Sequence, residues 1–348
     1  MIKISNVSIS RDHKPFIIAE MSGNHNHSLE RAFEIVDAAA ESGAHALKLQ
    51  TYTADTITID KSEGEFFISD PKSLWKGETL HNLYKQAYTP WEWHKPIMDR
   101  CKEKGILCFS SPFDFTAVDF LEELNVPAYK IASFENVDLP LIKKVANTGK
   151  PIIVSTGMAT VQEIAEAVDT IRSTGNEQII LLKCTSTYPA TPETTNILTI
   201  PHMRELFQCE IGLSDHTMGI GVSVASVALG AVVIEKHFTL NREDGGVDST
   251  FSLEPEEMKA LVIETERAWQ ALGKINYGPT EKEKASLVFR RSLYVVEDMK
   301  VGDMITENNV RSIRPGLGLP PKFFDIVIGK RVNQDVKRGT GLSWEMLG

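Results

Sequence analysis

A closed (β/α)8 barrel (TIM barrel) followed by a small strand-rich domain is the fold class that this 348-residue chain predicts. Three observations predict it. Apolar strand-like runs alternate with amphipathic helical stretches eight times between Phe16 and Leu272, and a barrel of this kind typically takes about 250 residues. Every one of those runs ends in polar side chains. Beyond about Tyr277 the pattern changes to short apolar runs broken by Gly302, Pro315, Gly316, Pro320, Gly329 and Gly339. An open doubly wound sheet is the alternative, but no G-x-G-x-x-G follows the first run.

The elements follow in order. Phe16–Met21 reads as a buried strand. Ser28 suits the N-cap of a helix whose apolar positions, Leu29, Ala32, Phe33, Val36, Ala39 and Ala40, recur at helical spacing until Gly43. Ala46–Gln50, Gly105–Ser110, Ala128–Ser133, Pro151–Ser155, Ile179–Cys184, Ile211–Ser214 and Val232–His237 are the later strands. Thr160 and Glu163 form a capping box for the helix between two of them, and Met258, Leu261, Val262, Trp269 and Leu272 mark the last helix. Two connections, Thr51–Pro90 and Tyr188–Cys209, are too long to be turns. Both leave the C-terminal ends of strands, where barrels carry their active sites. The predicted organisation is a barrel over 1–282, a linker over 283–291 and a small domain over 292–348.

Hydrophobic residues make up 42% of the chain, and the formal net charge is −10. An acidic surface of this kind offers nothing to nucleic acid or anionic lipid. Positive contacts to an anionic ligand must therefore be local. Cys101, Cys108, Cys184 and Cys209 form no C-x-x-C pair and read as reduced thiols of a cytoplasmic protein. Met1-Ile2-Lys3-Ile4 lacks the pattern of an export signal. No run approaches the ~20 apolar residues of a membrane span.

The polar tips are Glu20, Lys48 with Gln50, Ser110 with Ser111, Lys130 with Ser133, Ser155, Thr185 with Ser186, Ser214 with His216, and Glu235 with His237. A single polar tip is an ordinary solvated terminus; tips on all eight strands point to one bowl. Side chains alternate along a strand, so Lys48 shares a face with Gln50, Ser214 with His216, and Glu235 with His237. One lysine within an apolar strand could snorkel outward. Two of them, Lys48 and Lys130, with Ser133, Ser155 and Ser214 close by, suit a phosphate or a phosphate plus carboxylate. His216 and His237 end neighbouring strands, where two imidazoles can share a divalent ion and leave positions open for substrate. With no thiolate, Mn²⁺ or Mg²⁺ fits better than structural Zn²⁺. His45 reads as a hydrogen-bonded core residue. Asn24-His25 and Asp248 lie where they could reach a polyhydroxylated ligand or merely cap a turn. Arg314 precedes Pro315-Gly316 and alone signifies little.

Taken together these residues resemble the sialic acid synthases along essentially the whole chain. The strings that carry the resemblance are Ile17–Glu20 with Asn24-His25, Lys48–Thr51, Ser111–Phe113, Tyr129–Ser133, Ser155–Met158, Cys184–Pro189, Leu213–Thr217, Glu235–Phe238 and Arg314-Pro315. Within the family the chain is most similar to the branch that makes pseudaminic acid, through Thr51–Thr53, Leu74-Trp75, Leu83-Tyr84, Cys108–Phe113 and Asp248–Leu253. It departs from several members by carrying Ser186 for Asn and Ser111 for Thr, changes that keep a hydrogen-bonding group. It also lacks the Gly-Pro-Asp turn of N-acetylneuraminate synthases at Gly246-Val247-Asp248.

The resemblance implies a barrel followed by an antifreeze-like (SAF) domain, in a domain-swapped homodimer where Arg314 reaches the partner's substrate. It implies that Lys48, Ser111, Lys130, Ser133, Ser155, Ser186 and Ser214 surround phosphoenolpyruvate. His216 and His237 would bind metal, and Glu20, Asn24, Gln50, Tyr188, Asp248 and Arg314 would contact an amino sugar. Glu20 or Glu235 would move protons. The expected reaction joins phosphoenolpyruvate to an acylamino sugar aldehyde, either the trideoxy diacetamido sugar or the N-acetylneuraminate or legionaminate precursor. Two rival readings are an aldolase that forms a lysine Schiff base and a sugar-binding protein without turnover. A 6-deoxy sugar would want apolar contacts, for which the long loop offers Phe66, Phe67 and Trp75.

Overall fold

The computed structural model describes residues 2–71, 73 and 75–348; Met1, Lys72 and Leu74 lie outside the described residues. The chain divides into two compact units, 1–273 and 274–348.

The first unit opens with an antiparallel hairpin, β1 (Ile2–Ile4) and β2 (Val7–Ile9), strands too short to leave a sequence signal. Its Ile2, Ile4 and Ile9 join the main core at the end of the barrel where the strands begin. Eight parallel strands then close into a barrel: β3 (Phe16–Glu20), β4 (Ala46–Thr51), β5 (Leu107–Pro112), β6 (Tyr129–Ile131), β7 (Ile152–Ser155), β8 (Ile179–Cys184), β9 (Glu210–Ser214) and β10 (Val233–His237). The seam between β10 and β3 runs from Val233 opposite Phe16 to His237 opposite Glu20. The strands are continuous hydrophobic runs because barrel residues and helices cover both faces.

The helices between them are α1 (Leu29–Glu41), α2 (Ala54–Ile57), α3 (Leu80–Ala87), α4 (Trp91–Glu103), α5 (Phe115–Glu123), α6 (Leu139–Ala146), α7 (Val161–Arg172), α8 (Thr199–Phe207), α9 (Gly221–Ala228) and α10 (Pro255–Leu272). Local chemistry sets their ends. Ser28 Oγ accepts from Arg31 N at 3.1 Å, and Gly43 takes φ +84° just past α1. The Thr160–Glu163 capping box is formed at α7. Both long connections carry elements of their own. Residues 51–90 hold α2, a 3-10 turn at Gly64–Phe66, a bridge between Phe67 and Thr79, and α3. The connection after β8 holds a 3-10 turn at Pro192–Thr194 and α8.

One strand is shorter than its sequence implies. The run read as reaching Ser133 stops pairing at Ile131, and a turn follows, with Glu135 N donating to Ala132 O at 3.2 Å. That turn brings Glu135 to the bowl. His45, expected in the core, is half-buried, and its Nδ1 accepts from Ile17 N at 2.9 Å.

The second unit pairs β11 (Ser292–Val295) with β12 (Val310–Ile313) and includes the short α11 (Phe324–Val327). Leu293, Val295, Ile305, Val310, Val327 and Leu342 form its own core. Within 283–291, expected as a linker, Lys284–Phe289 is a 3-10 helix, and Gly316 N donates to Val288 O at 2.8 Å.

Candidate active site

The register of the strands decides what meets at their C-terminal ends. Glu20 stands beside both Lys48 and His237, Gln50 beside Ser111, and Glu235 beside Ser214. Of these, Glu20, Lys48, Gln50, Ser214, Glu235 and His237 line a cavity of about 580 Å³ with Lys130, Ser133, Ser155, Ser186, Tyr188, His216 and Asp248. A larger cavity, about 1180 Å³, opens at the opposite end among Arg11, Arg204, Glu210 and Trp269. It receives none of the strand tips, and its Arg204 is spent on Gly230 O at 2.7 Å and on Glu210.

A buried charge network forms the floor of the bowl. Lys48 Nζ lies 3.0 Å from Glu235 Oε1 and 3.2 Å from Glu20 Oε2. Lys130 Nζ lies 3.6 Å from the same Glu235 oxygen, which also accepts from Ser214 Oγ at 3.4 Å. Gln50 Nε2 donates to Glu20 Oε1 at 2.8 Å. Burial raises the Glu235 carboxyl, but the ammonium groups of Lys130 and Lys48 outweigh it and hold the group at about 2. Glu20 goes the other way. Burial and the neighbouring charge of Glu235 push it up to about 7, against the pull of Lys48. Two carboxyl groups sharing one lysine are thus driven apart, so one stays ionised and the other can carry a proton near neutrality. Burial lowers Lys130, and Glu235 only partly offsets this.

Among the described residues, several buried polar atoms have no hydrogen-bond partner, including Ser111 Oγ, Ser155 Oγ, Glu235 Oε2 and His237 Nδ1. Such atoms are rare in protein interiors; Ser155, Glu235 and His237 line the bowl, where these atoms can meet a ligand, while Ser111 lies behind it and His237 Nδ1 stands 3.5 Å from Asp248 Oδ2. The rings of His216 and His237 lie 5.3 Å apart. His216 Nδ1 donates to Thr185 O at 2.9 Å; burial lowers this imidazole, but Cys184 and the Thr185 carbonyl outweigh it and hold it above the ordinary histidine range, so a metal here would have to displace a proton. Burial keeps the His237 imidazole neutral, as a metal ligand requires. The donor set therefore suits a divalent cation. Among the described residues no three His, Cys, Asp or Glu side chains converge on one point, so other ligands would come from water or substrate.

The opposite faces of the same strands hold the tips in place. Lys236 and Asp215 form a fully buried pair at 3.3 Å. Lys236 Nζ donates to Thr217 O, and Asp215 accepts from Thr217 and Ser223. This clamp ties the segment bearing His216 to the strand bearing His237.

Not every predicted residue reaches the bowl. Asn24, grouped with the sugar contacts, is a correction: its Nδ2 donates to Phe238 O and Ser252 Oγ, each at 2.9 Å, and it does not line the cavity. It braces the Gly246–Ser252 segment that presents Asp248. His25 is also buried, against Trp93 and Thr89. Ser110 points away from the axis to Thr51 Oγ1 at 2.6 Å, and Ser111 is buried behind the lining. Arg314 lies in the second unit, just after β12. Phe66 and Phe67 do not line the cavity, whereas Trp75 does, its Nε1 donating to Val247 O at 3.2 Å.

Other lining residues gave no sequence signal at the strand tips. Ser22 donates to Asp248 Oδ2 at 2.5 Å and accepts from Gln50. Glu135 has a carboxyl that burial pushes up to about 7; it lies two residues past Ser133, and only the turn after β6 reveals it. Behind the lining, Cys184 Sγ accepts from Ser133 Oγ at 3.3 Å and touches Ser186 Oγ at 3.8 Å.

A closed barrel whose strand tips gather two ammonium groups, a ring of hydroxyls and two imidazoles is an enzyme of the barrel class, built around an anionic substrate. Residues 35–277 match the NeuB family and residues 290–348 the SAF domain; the chain belongs to the NeuB family. It is 44% identical over 335 residues to pseudaminic acid synthase of Campylobacter jejuni, covering 96% of this chain and 97% of that one. Identity to pseudaminic acid synthase of Helicobacter pylori is 43% over 333 residues, 94% and 96% of the two chains. The crystal structure of N-acetylneuraminic acid synthetase from Leptospira borgpetersenii, in complex with citrate, superposes with a TM-score of 0.74 at 32% identity, covering 82% of this chain and 94% of that one.

Proposed function

We propose that this chain is a pseudaminic acid synthase, condensing phosphoenolpyruvate with 2,4-diacetamido-2,4,6-trideoxy-L-altrose and water to give pseudaminic acid and phosphate. The observation that carries the reading is the meeting in one bowl of the Lys48 and Lys130 ammonium groups with the His216–His237 pair. The relatives from Campylobacter and Helicobacter, similar over nearly the whole chain, favour this sugar over N-acetylmannosamine or the legionaminate precursor.

In this reading Lys48, Lys130, Ser133, Ser155, Ser186 and Ser214 hold the phosphate and carboxylate, with Ser111 behind them. Glu20, Gln50, Tyr188 and Asp248 orient the open-chain sugar. A divalent cation on His216 and His237, Mn²⁺ or Mg²⁺, supplies Lewis acidity toward the aldehyde oxygen when bound. Carbon 3 of phosphoenolpyruvate forms the new bond to the aldehyde carbon. Water adds at carbon 2, and the carbon–oxygen bond to phosphate breaks. Glu20, poised near 7, gives its proton to the oxygen that becomes a hydroxyl. Glu135, similarly poised and near Lys130, takes one from the attacking water. Glu235 stays ionised and fixes both lysines.

The active unit in this reading is a domain-swapped homodimer. Phe115, Phe134, Val137, Met158, Val161 and Met218 are exposed on the segments that follow the barrel strands, an apolar rim of the kind that marks an interface. A partner's second unit would cover it and bring Arg314 to the sugar. We assign the enzyme to the cytoplasm, where phosphoenolpyruvate is made and free thiols such as these four persist.

Incubation with phosphoenolpyruvate, Mn²⁺ and each candidate sugar, followed by phosphate release and product mass, tests the reading. Turnover with the trideoxy sugar, lost on chelation, is expected; turnover confined to N-acetylmannosamine would refute it. The burial-lowered Lys130 favours one rival, a Schiff-base aldolase. Borohydride with pyruvate would trap that enzyme covalently and should leave this one unmodified.

A further inference from the structure

Helix α3 is amphipathic, yet its apolar stripe joins neither hydrophobic core. Leu80, Leu83, Tyr84 and Ala87 recur at i, i+3, i+4 and i+7, so they share one face. Asn82, Lys85 and Gln86 lie exposed on the other. All four stripe residues line the substrate cavity, and none belongs to the barrel core or to the core of the second unit. Ile57, at the end of α2, and Ile68 extend the same wall. A surface helix normally buries its apolar face against its own protein. Here that face is turned toward Glu20, Gln50 and Asp248 across a cavity otherwise rich in charge.

The helix is fixed in this orientation. Thr79 caps it, accepting from Asn82 N at 3.1 Å. The Tyr84 ring packs edge-on against Tyr52 with centroids 5.8 Å apart. His81, one position from Leu80, turns outward to Asp55 at 2.9 Å. Burial raises the Tyr84 phenol, so that side chain adds no charge to the wall. The stripe offers a sugar three aliphatic side chains and a single hydroxyl.

We propose that the α3 stripe is the element that selects a deoxygenated, acylated sugar over a hydroxylated one. Its chemistry fits methyl groups, meaning a deoxy carbon and acetamido methyls, and a sugar hydroxyl placed against Leu80 or Ala87 would lose its water without gaining a partner. The inference rests on the reading above, because that reading supplies a sugar with three methyl groups.

The test introduces polar groups on the stripe as Leu80→Asn and Ala87→Ser, with Leu80→Met as the conservative control. The measurement is kcat/KM for the trideoxy diacetamido sugar relative to N-acetylmannosamine, alongside KM for phosphoenolpyruvate. The ratio should fall about 10- to 100-fold in the polar variants and stay near wild type in Leu80→Met, with KM for phosphoenolpyruvate within about twofold. An unchanged ratio, or a rise in both KM values together, would overturn the proposal. Should Leu80→Asn fail to fold, the milder Ala87→Ser carries the test. Wild-type enzyme that rejects the trideoxy sugar would refute the assigned reaction. The stripe would then be judged on the deoxy and hydroxylated forms of the sugar that is used.

Discussion

Gly157 is the position where one methyl group should separate phosphoenolpyruvate binding from sugar binding. Its φ is +46°, and a Cβ there would lie 2.6 Å from Ser133 Cβ, 2.8 Å from Ser186 Oγ and 2.9 Å from Ser133 Oγ. Carbon atoms prefer about 3.5–4.0 Å, so Gly157→Ala must displace Ser133 by about 1 Å and Ser186 with it. Neither serine is free to move, because Cys184 Sγ bonds Ser133 and touches Ser186 from behind. The left-handed backbone adds about 1–2 kcal/mol for a residue with a Cβ. That lowers stability by a few degrees of Tm in a domain of this size. A 1 Å misplacement of binding groups costs on the order of 100-fold in rate. Gly157→Ala should therefore fold, lose about 100-fold in kcat/KM for phosphoenolpyruvate, and keep KM for the sugar within about twofold. Ser133→Gly removes the nearest clash, so the double variant should be less impaired than the product of the two single effects. Kinetics within twofold of wild type, or strictly multiplicative losses, would refute the packing argument.

Glu20→Gln should change how stability depends on pH. The folded group titrates at about 7 against 4.5 for an ordinary glutamate, so between those values the unfolded chain has released a proton that the folded chain keeps. Stability must fall as pH rises through that window, by about 3 kcal/mol for this group alone. Denaturant titrations at pH 4.5 and 7.5 should show a smaller drop in the variant. An equal drop would mean Glu20 is ionised in the folded protein. Glu235→Gln leaves two buried ammonium groups without their shared counter-charge and should cost about 3–5 kcal/mol. Saturating phosphoenolpyruvate should restore part of that; a variant as stable as wild type without ligand would show that the lysines do not depend on Glu235.

The barrel was legible because its signal is redundant. Eight apolar runs each carry the same message, so misplacing the end of β6 by two residues changed nothing in the topology. The bowl was legible through strand parity: Lys48 with Gln50 and Glu235 with His237 fall on the inward face because side chains alternate. Residues beyond the strands were not legible. Glu135 enters through a turn, Ser22 through a loop residue at φ +47°, and the α3 stripe through a connection whose path no periodicity fixes. Asn24 misled for a related reason. An Asn after a strand tip is equally placed to meet ligand or to brace a neighbouring loop, and only the partners, Phe238 O and Ser252 Oγ, decide. Phe66 and Phe67 looked like the apolar wall because they are large; Leu80, Leu83 and Ala87 form it because a helix aims them.

The charges of the bowl point to a last consequence. Burial disfavours the charged forms of Lys48 and Lys130; Glu20 and Glu235 oppose it at Lys48, and Glu235 opposes it in part at Lys130. With Glu20 protonated, the two lysines and Glu235 leave a net single positive charge. A phosphate ester carries about −1.5 to −2 near neutrality, and phosphoenolpyruvate adds a carboxylate, so the lysines alone do not balance it. A divalent cation on His216 and His237 would make up the difference within the same low-dielectric space. Each charged species should then strengthen the binding of the other, and by linkage the two effects must be equal. Calorimetry of Mn²⁺ binding with and without phosphoenolpyruvate should show Kd falling about 5- to 150-fold, the span of typical coupling free energies. The Kd of phosphoenolpyruvate should fall by the same factor when Mn²⁺ is present. In His237→Ala the coupling should vanish while phosphoenolpyruvate binding without metal persists. Two ligands that bind independently in the wild-type protein would mean that the imidazoles and the lysines do not serve one charge-balanced site.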